Sequence, residues 1–254
     1  MDKNSYQSNI SGWGGYPIQE ARVVYPKNIK QILEEIKKSD LIARGNGRAY
    51  GDSSINKKNT INMKYFNHII SFDDSSGVLE LESGILLEDI VNTFLPKGWF
   101  PYVTPGSKFV TIGGLIAADV HGKNHHKDGS FGNFVEWFEL INSKGEIIKC
   151  SRNENKDMFE WTIGGMGLTG IIIRAAIKLR PIETCWIKQK TLVANNIDQT
   201  LEIFEKNMNA TYSVAWLNST NSRNNIGQSL VMLGEHAKIN DLNQKNILDP
   251  LKLK

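Results

Sequence analysis

Apolar residues recur at helical spacing in two stretches of the chain. Side chains three or four positions apart share one face of a helix. This spacing predicts two amphipathic helices, one carrying Ile29, Ile32, Leu33 and Ile36 and the other Leu87, Ile90, Val91 and Phe94. Short apolar runs at residues 21–25 and 41–43 predict strands on either side of the first helix. The chain therefore opens with strand, helix, strand.

Two pairs of apolar runs flank turn-forming clusters. Residues 69–72 and 78–81 surround Asp-Asp-Ser-Ser-Gly, whereas residues 135–141 and 146–150 surround Ser-Lys-Gly. Such clusters close tight turns, so each pair predicts a β-hairpin. Early alternation of strand and helix, followed by hairpins, predicts an α+β fold and not a continuous doubly wound sheet.

The pattern changes after Pro181, which closes an apolar strand at residues 170–179. Beyond it the sequence predicts a strand, a helix, a second strand and a polar surface loop over residues 187–193, 197–208, 212–217 and 218–225. We place the domain boundary between Pro181 and Thr184. This division gives one domain over residues 1–183 and the start of another over residues 184–254.

The composition excludes several classes of partner. The 254 residues are 40% hydrophobic and 22% charged, which is ordinary for a soluble protein. The net charge is only +3 and the lysines are scattered, so nucleic acid is not an expected partner. Cys150 and Cys185 indicate two free thiols. The start of the chain, Met1 to Asn4, lacks a signal-peptide core, and no run approaches the roughly 20 apolar residues of a membrane span. We expect a location on the cytoplasmic side, with peripheral membrane contact left open.

The first of three glycine-rich segments follows the strand at residues 41–43 and runs from Ala43 to Ser53. Closely spaced glycines adopt positive φ and turn several N–H groups toward one concavity, which suits a pyrophosphate. Arg44 and Arg48 either add charge there or are solvated. The segment lacks the Gly-Lys-Ser/Thr ending of a Walker loop, and no helix follows it as in the Rossmann pattern. A plain loop is the alternative.

Small residues also cluster at residues 104–118 and at residues 164–170. In the second segment they allow close approach of a flat ligand, and Thr111 offers a hydroxyl, although tight helix packing explains the alanines equally well. The third segment places four glycines just before an apolar strand, so a ligand, a bulge or a sheet corner lies against its backbone. Each segment alone is weak evidence for a ligand site, but the order and spacing of all three together are strong evidence for one.

Three histidines follow the second segment. His121 and His125 have the four-residue spacing used by zinc sites, and His126 comes next. However, Lys123 lies between them, no Glu follows His121, and Gly122 disfavours a regular helix. We therefore predict no metal site.

This order of motifs resembles the vanillyl-alcohol-oxidase type, or PCMH type, of FAD-binding oxidoreductases. That family wraps FAD with Arg-Gly-x-Gly after a strand, then Pro-Gly with x-Thr-x-Gly-Gly, then a glycine-rich turn before Gly-Ile-Ile. Within the family the chain most resembles the decaprenylphosphoryl-β-D-ribose 2'-oxidases, at residues 11–14, 42–52, 121–126, 129–133, 165–172 and 212–216. The resemblance implies an FAD-binding domain of two α/β subdomains, followed by the start of an α+β substrate domain.

The resemblance also implies a set of cofactor contacts. The pyrophosphate would be held by Ala43, Arg44, Gly45, Asn46, Gly47, Arg48, Ala49, Tyr50, Gly51, Asp52 and Ser53. The flavin and its ribityl chain would be lined by Gly106, Thr111, Ile112, Gly113 and Gly114. Further contacts would come from Ala118, Asp119, Val120, His121 and Ile172. Many relatives carry a flavin-linked histidine where this chain has Arg48 and Ala49, so we predict that FAD is bound noncovalently.

The reaction that the resemblance implies is oxidation of the 2'-hydroxyl of a polyprenylphosphoryl ribose, with hydride transfer to flavin N5. The keto product would serve arabinan-type cell-envelope synthesis, which makes a short-chain reductase a candidate partner. His121 and Lys123 would face the substrate. His121 would orient or deprotonate the hydroxyl, or else pack against the flavin, and Lys123 would attract the substrate phosphate or reach solvent.

Two other interpretations stay open. One is an oxidase of free alditols or aldonolactones in the same flavin family. The other is a non-catalytic FAD-binding fragment that needs a second chain, because family members return to the FAD domain with a Tyr- and Lys-bearing segment. This sequence stops at Lys254, within the expected substrate domain.

Overall fold

The computed structural model describes residues 5–220 and 226–252. The predictions for residues 1–4 and for residues 221–225 of the surface loop lie outside the described residues. Contacts divide the chain into two compact units. The first unit is Met1–Val91, Gly106–Val120 and Phe131–Leu179, and the second is Asn92–Pro105, His121–Ser130 and Arg180–Lys254. Unlike a single division at residue 183, this grouping places two internal segments in the second unit, and the functional roles of the two domains stay predictions.

Short helices and strands alternate along the described chain. The strands are β1 (Ser5–Ile10), β2 (Gln19–Val24), β3 (Ile42–Arg44), β4 (Thr60–Asn62), β5 (Ile69–Asp73), β6 (Val78–Glu82), β7 (Trp99–Pro101), β8 (Val135–Ile141), β9 (Ile147–Ser151), β10 (Ile171–Pro181), β11 (Ile187–Ala194), β12 (Tyr212–Leu217) and β13 (Ser229–His236). The α-helices are α1 (Ile29–Ile36), α2 (Leu87–Phe94), α3 (Ile112–Ala117), α4 (His125–Asp128), α5 (Lys156–Thr162), α6 (Ile197–Lys206) and α7 (Gln244–Ile247). In the part of the chain so described, every helix is too short or too polar to cross a bilayer.

The first unit contains a sheet with strand order β1-β2-β4-β3, in which β1 is antiparallel to β2 and the other pairs are parallel. Helix α1 joins β2 to β3. Asn28 begins this helix, because its Oδ1 accepts the Gln31 N–H at 3.1 Å. Ile32 is 0% exposed and packs in one apolar cluster with Val24 and Ile61. This packing fixes β3, and the first glycine-rich segment begins where β3 ends.

A buried carboxylate ties α1 to the neighbouring strand. Glu35 is only 2% exposed, and its oxygens accept from Arg22 Nη1 at 2.6 Å and Nη2 at 3.1 Å. Lys38 Nζ at 2.6 Å and Asn59 Nδ2 at 3.2 Å complete its partners. Burial alone would raise the pKa of Glu35, but the hydrogen bonds from Arg22 and Lys38 outweigh it and hold the pKa below its ordinary value. The carboxylate therefore stays ionised inside the fold.

A second sheet of the first unit has the order β5-β6-β10-β8-β9. Its central strand, β10, is antiparallel to β6 on one side and to β8 on the other, so it joins the β5–β6 and β8–β9 hairpins. Phe138 of β8 is fully buried and stacks on Phe159 of α5, with ring centroids 5.2 Å apart. Cys150 of β9 is a buried free thiol whose pKa is raised by burial to about 11.

The second unit contains an antiparallel sheet with the order β11-β13-β12. Helix α6 begins at Asn196, whose Oδ1 accepts the Gln199 N–H at 2.9 Å. The buried hydroxyls of Thr200 on α6 and Ser229 on β13 lie 2.6 Å apart. This hydrogen bond joins the helix to the central strand of the sheet.

The predicted α+β fold is confirmed. Both predicted hairpins are present, as are the helices at α1, α2 and α6 and the strands at β2, β3, β10, β11 and β12. Most predicted ends lie within two residues of the observed ones, and α6 ends at Lys206 and not at residue 208. The elements not predicted from the sequence are β1, β4, β7, β13, α3, α4, α5 and α7.

Candidate cofactor site

The side chain of Arg44 forms hydrogen bonds that hold the first glycine-rich segment, which follows β3. Its Nη2 donates to the Ser11 carbonyl oxygen at 2.7 Å, and its Nη1 donates to Ser54 Oγ at 3.2 Å. Gly47 has φ of +67°, and a Cβ there would lie 2.5 Å from Arg44 Nη2. Burial lowers the pKa of Arg44 from its ordinary value, yet so basic a group remains charged at neutral pH. Arg44 therefore shapes the loop through contacts within the protein.

Arg48 carries a hydrogen-bond donor that the protein leaves unused. Its Cζ lies 4.9 Å from the Trp13 ring centroid and 5.9 Å from that of Phe109, which are cation–π contacts. Its Nε is buried and has no hydrogen-bond partner within residues 5–220 and 226–252. A buried donor without an acceptor is costly, and phosphate oxygens are strong acceptors for guanidinium groups. Arg48 is therefore suited to a phosphate.

Thr111 brings the second glycine-rich segment against the first. Its Oγ1 accepts the Gly114 N–H at 3.4 Å and so caps α3. A Cβ at Gly45 would lie only 2.1 Å from Thr111 Oγ1. Gly113 lies close to Ser83, which follows β6, because the Gly113 N–H donates to the Ser83 carbonyl oxygen at 2.8 Å. Gly45 therefore leaves room for the Thr111 side chain, and Gly113 leaves room for Ser83.

The third glycine-rich segment turns beside the end of α3. The Met166 N–H donates to the Ala117 carbonyl oxygen at 2.8 Å. Gly167 and Gly170 have φ of +80° and +147°, values that favour glycine. A Cβ at Gly170 would also lie 2.4 Å from the Ile141 carbonyl oxygen. A sheet corner thus accounts for Gly170, as the sequence analysis allowed.

The three segments line one open cleft in the first unit, with a cavity volume of about 140 Å³. A single water needs roughly 10–15 Å³ of such volume, so the cleft admits a much larger group. The predicted cofactor residues in its wall are Ala43, Arg44, Gly45, Asn46, Gly47, Arg48, Ala49, Ser53, Thr111, Gly113, Gly114, Ala118, Val120 and Ile172. The wall residues that the sequence analysis did not name as contacts are Ser54, Met63, Ser83, Val110, Leu115, Ala117, Met166, Gly167 and Gly170.

Other predicted cofactor residues lie outside the wall of this cleft, namely Tyr50, Gly51, Asp52, Gly106, Ile112, Asp119 and His121. Tyr50 is 77% exposed, whereas Ile112 is 0% exposed and belongs to the core. Asp119 has φ of +40°, and its Oδ1 accepts the Gly132 N–H at 2.9 Å. The roles of these residues toward a cofactor stay predictions.

The histidine segment belongs to the second unit. His121, Lys123 and His125 are exposed, and the rings of the two histidines meet edge to face with centroids 5.4 Å apart. The main chain of His121 forms an antiparallel bridge with Ser130. Within residues 5–220 and 226–252, no three His, Cys, Asp or Glu side chains are grouped to bind a metal ion.

Hydrogen bonds from two polar side chains, Asn124 and His126, anchor this segment. Asn124 is 0% exposed, and its Nδ2 donates to the Tyr102 carbonyl oxygen at 2.7 Å and to Asp128 Oδ2 at 2.6 Å. His126 Nε2 donates to the Ala210 carbonyl oxygen at 2.8 Å. The side chains of this segment therefore have two roles. Asn124 and His126 form hydrogen bonds within the protein, whereas the exposed side chains are available to a ligand.

Comparison with known proteins identifies the family of this chain. Residues 21–151 match the family model described as FAD binding domain, which covers about half of the chain. The chain belongs to this FAD-binding family. FAD is therefore its cofactor, and the FAD-binding fold predicted from the three glycine-rich segments is confirmed.

Several curated proteins are similar to this chain. Decaprenylphosphoryl-beta-D-ribose oxidase of Mycolicibacterium smegmatis is 35% identical in an alignment 253 residues long that covers 96% of this chain and 55% of that protein. Cytokinin dehydrogenase 5 of Arabidopsis thaliana is 33% identical over 40% of this chain and 18% of its own length. D-lactate dehydrogenase of Anaerostipes hadrus is 29% identical over 53% of this chain and 30% of its own length. The chain thus spans about half, or less, of the length of these relatives.

The residues of the cleft fit FAD. Arg48 Nε is a buried donor that lacks an acceptor, which a pyrophosphate oxygen would supply. Gly45 and Gly47 form a cradle in which any side chain would collide with Thr111 or Arg44. The wall is otherwise built of small and apolar residues, as is typical of cofactor sites with a few placed polar groups.

Proposed function

We propose that this chain is the FAD-binding part of an oxidoreductase that oxidises the 2'-hydroxyl of a polyprenylphosphoryl ribose to a ketone. The observation that carries the proposal is the extent of the similarity to the ribose oxidase, which runs over 96% of the chain. It therefore continues past residue 151, where the match to the FAD binding domain ends, and into the second unit. Proteins that share only the FAD domain would not be expected to match there.

In this proposal FAD, when bound, supplies the acceptor for the hydride. His121 orients the sugar hydroxyl and takes its proton, a role for which histidine is the side chain most often used. His121 directly follows Val120, a residue of the cleft wall. Its side chain is exposed, and the bridge to Ser130 fixes its main chain.

Lys123 binds the phosphate of the substrate in the same proposal. Its carbonyl oxygen accepts the Ser213 N–H at 2.8 Å, so the main chain is fixed while the amine is exposed. An ammonium group on a flexible stem can follow a phosphate without a rigid geometry. A polyprenyl substrate would bring the protein to a membrane surface, and the keto product would pass to a reductase.

One alternative has an observation in its favour. The family match over residues 21–151 describes FAD binding and names no reaction, so a non-catalytic FAD-binding fragment that works with a second chain is a second candidate function. The two proposals differ in one property. The oxidoreductase reduces its own flavin with substrate, and the fragment binds FAD but does not reduce it.

The test follows the absorbance of bound flavin near 450 nm under anaerobic conditions. Prenylphosphoryl ribose, a free alditol or an aldonolactone is added, and loss of this absorbance (bleaching) reports flavin reduction. Rapid bleaching by the prenylphosphoryl sugar alone supports the proposal. Bleaching by the free polyols refutes the lipid-linked substrate, and yellow protein that none of them bleaches supports the fragment.

A pair of histidine variants tests the role of His121. His121→Ala should slow flavin reduction by about 100- to 10,000-fold, the usual contribution of a general base. His68→Ala is the matched control, because His68 is exposed, pairs with Glu82 at 2.7 Å and does not line the cleft. Equal reduction rates in both variants would remove His121 from the chemistry.

A further inference from the structure

Ser83 has a hydroxyl group without a partner in the wall of the FAD cleft. It follows β6 directly and is only 2% exposed. Its Oγ has no hydrogen-bond partner within the described part of the chain. Buried hydroxyls are nearly always hydrogen-bonded, because burial removes their bonds to water. The isolated hydroxyl therefore indicates a partner that the polypeptide does not provide.

The main chain of Ser83 is already fully used. Its N–H donates to the Ile173 carbonyl oxygen at 3.1 Å, and its carbonyl oxygen accepts the Gly113 N–H at 2.8 Å. A Cβ on Gly113 would lie 3.1 Å from Ser83 Cβ, and one on Gly84 would lie 2.0 Å from the Met63 carbonyl oxygen. Ser83 is thus held in place by tight backbone contacts on both sides. The hydroxyl is the remaining group that can bind a ligand.

We propose that Ser83 Oγ hydrogen-bonds to bound FAD, which makes Ser83 a cofactor contact outside the three glycine-rich segments. FAD carries hydrogen-bonding groups along its pyrophosphate, ribityl chain and flavin ring, so it can satisfy the hydroxyl. An alanine would fill the same space without this bond. The inference concerns the cofactor and not the sugar, so a failure to oxidise any sugar leaves it standing.

The test compares Ser83→Ala with the wild-type chain in two measurements. The first is the FAD dissociation constant, from the change in flavin fluorescence on binding. The second is the midpoint of thermal unfolding without FAD. Loss of one hydrogen bond should weaken FAD binding by about 2- to 12-fold. The midpoint without FAD should be unchanged or higher, because the variant removes a buried hydroxyl that has no partner in the empty cleft.

Ser229→Ala is the matched control. Ser229 is 4% exposed, but its Oγ lies 2.6 Å from Thr200 Oγ1, so its hydroxyl is satisfied by the protein. This variant should unfold at a lower temperature and bind FAD as the wild type does. The opposite pattern in Ser83→Ala is one that a merely structural role would not produce.

Each other outcome overturns the inference. If Ser83→Ala binds FAD as tightly as the wild type, the hydroxyl does not contact the cofactor. If it loses FAD affinity and thermal stability together, Ser83 acts through the fold. A wild-type chain that takes up no FAD would overturn the cofactor contact as well, whereas a yellow chain that oxidises no sugar would overturn only the proposed substrate.

Discussion

Removal of the Glu35 carboxylate should strongly destabilise the protein. Glu35→Ala leaves the Arg22 guanidinium partly buried, with its side chain 24% exposed, and without the carboxylate that it contacts at 2.6 and 3.1 Å. It also removes an acceptor from Lys38 and Asn59. The substitution therefore breaks four hydrogen bonds to one buried anion.

The magnitude follows from the burial of the pair. Removing one partner of a buried ion pair costs about 3–5 kcal/mol, because the other charge loses its counter-ion. In a protein of this size each kcal/mol lowers the unfolding midpoint by about 2–4 °C, so we expect a fall of about 6–20 °C. Glu34→Ala is the matched control on the same helix. Glu34 is exposed, and a surface substitution should change stability by less than about 0.5 kcal/mol.

The difference in stability between the wild type and Glu35→Ala should also depend on pH, because the pKa of Glu35 is lower in the folded state than its ordinary value of 4.5. A lowered pKa means that the unfolded chain binds the proton first as the pH falls. The contribution of Glu35 is therefore complete above about pH 4.5 and is lost as the pH falls through the folded-state pKa. The gap between the wild type and Glu35→Ala should narrow over that range.

Thermal unfolding of the three proteins, followed by circular dichroism from neutral pH to below pH 4.5, measures both effects. The reasoning is refuted if Glu35→Ala and Glu34→Ala have the same unfolding midpoint at neutral pH. It is also refuted if the gap stays constant as the pH falls, because a purely steric role for Glu35 would not titrate.

Two further predictions concern the cleft. Gly45→Ala places a Cβ 2.1 Å from Thr111 Oγ1, so it should displace this helix cap, lower stability by about 1–3 kcal/mol and weaken FAD binding, as calorimetry and fluorescence titration can measure. Gly14→Ala, where a Cβ meets nothing within 4 Å, should leave both properties unchanged, and equal effects of the two substitutions would contradict the steric explanation. FAD should also leave the protein on acid precipitation, because Arg48 and Ala49 stand where relatives carry a flavin-linked histidine, and yellow colour retained in the pellet would contradict noncovalent binding.

The elements that the sequence predicted are those whose own residues carry a buried face. Helix α1 is an example, because its apolar spacing matches the side that packs on Val24 and Ile61. Strand β1 has no such pattern, since its sequence is mostly polar, none of its residues is buried, and it pairs only with β2 at the sheet edge. Helix α3 was missed because Gly113 and Gly114 have low helix propensity, which tertiary contacts override here.

The site was predictable to the extent that ligand contact requires glycine. Gly47 has a positive φ and Gly45 leaves room for the Thr111 side chain, so both positions require glycine, and both lie in the cleft wall. Met63 and Ser83 leave no such mark on the sequence, because each is an ordinary residue just after a strand, and only the three-dimensional fold brings it to the cleft. A possible signal for Ser83 is the glycine that follows it, since Gly84 marks a point where two backbones cross.

The central position of β10 has a consequence for synthesis on the ribosome. Until this strand emerges, the β5–β6 and β8–β9 hairpins have no partner between them. The cleft is then still open on the side that Gly170 and Ile172 will close. Translation must therefore pass β10 before the nascent chain can capture a flavin, and until that moment the unpaired edges of both hairpins are open to aggregation.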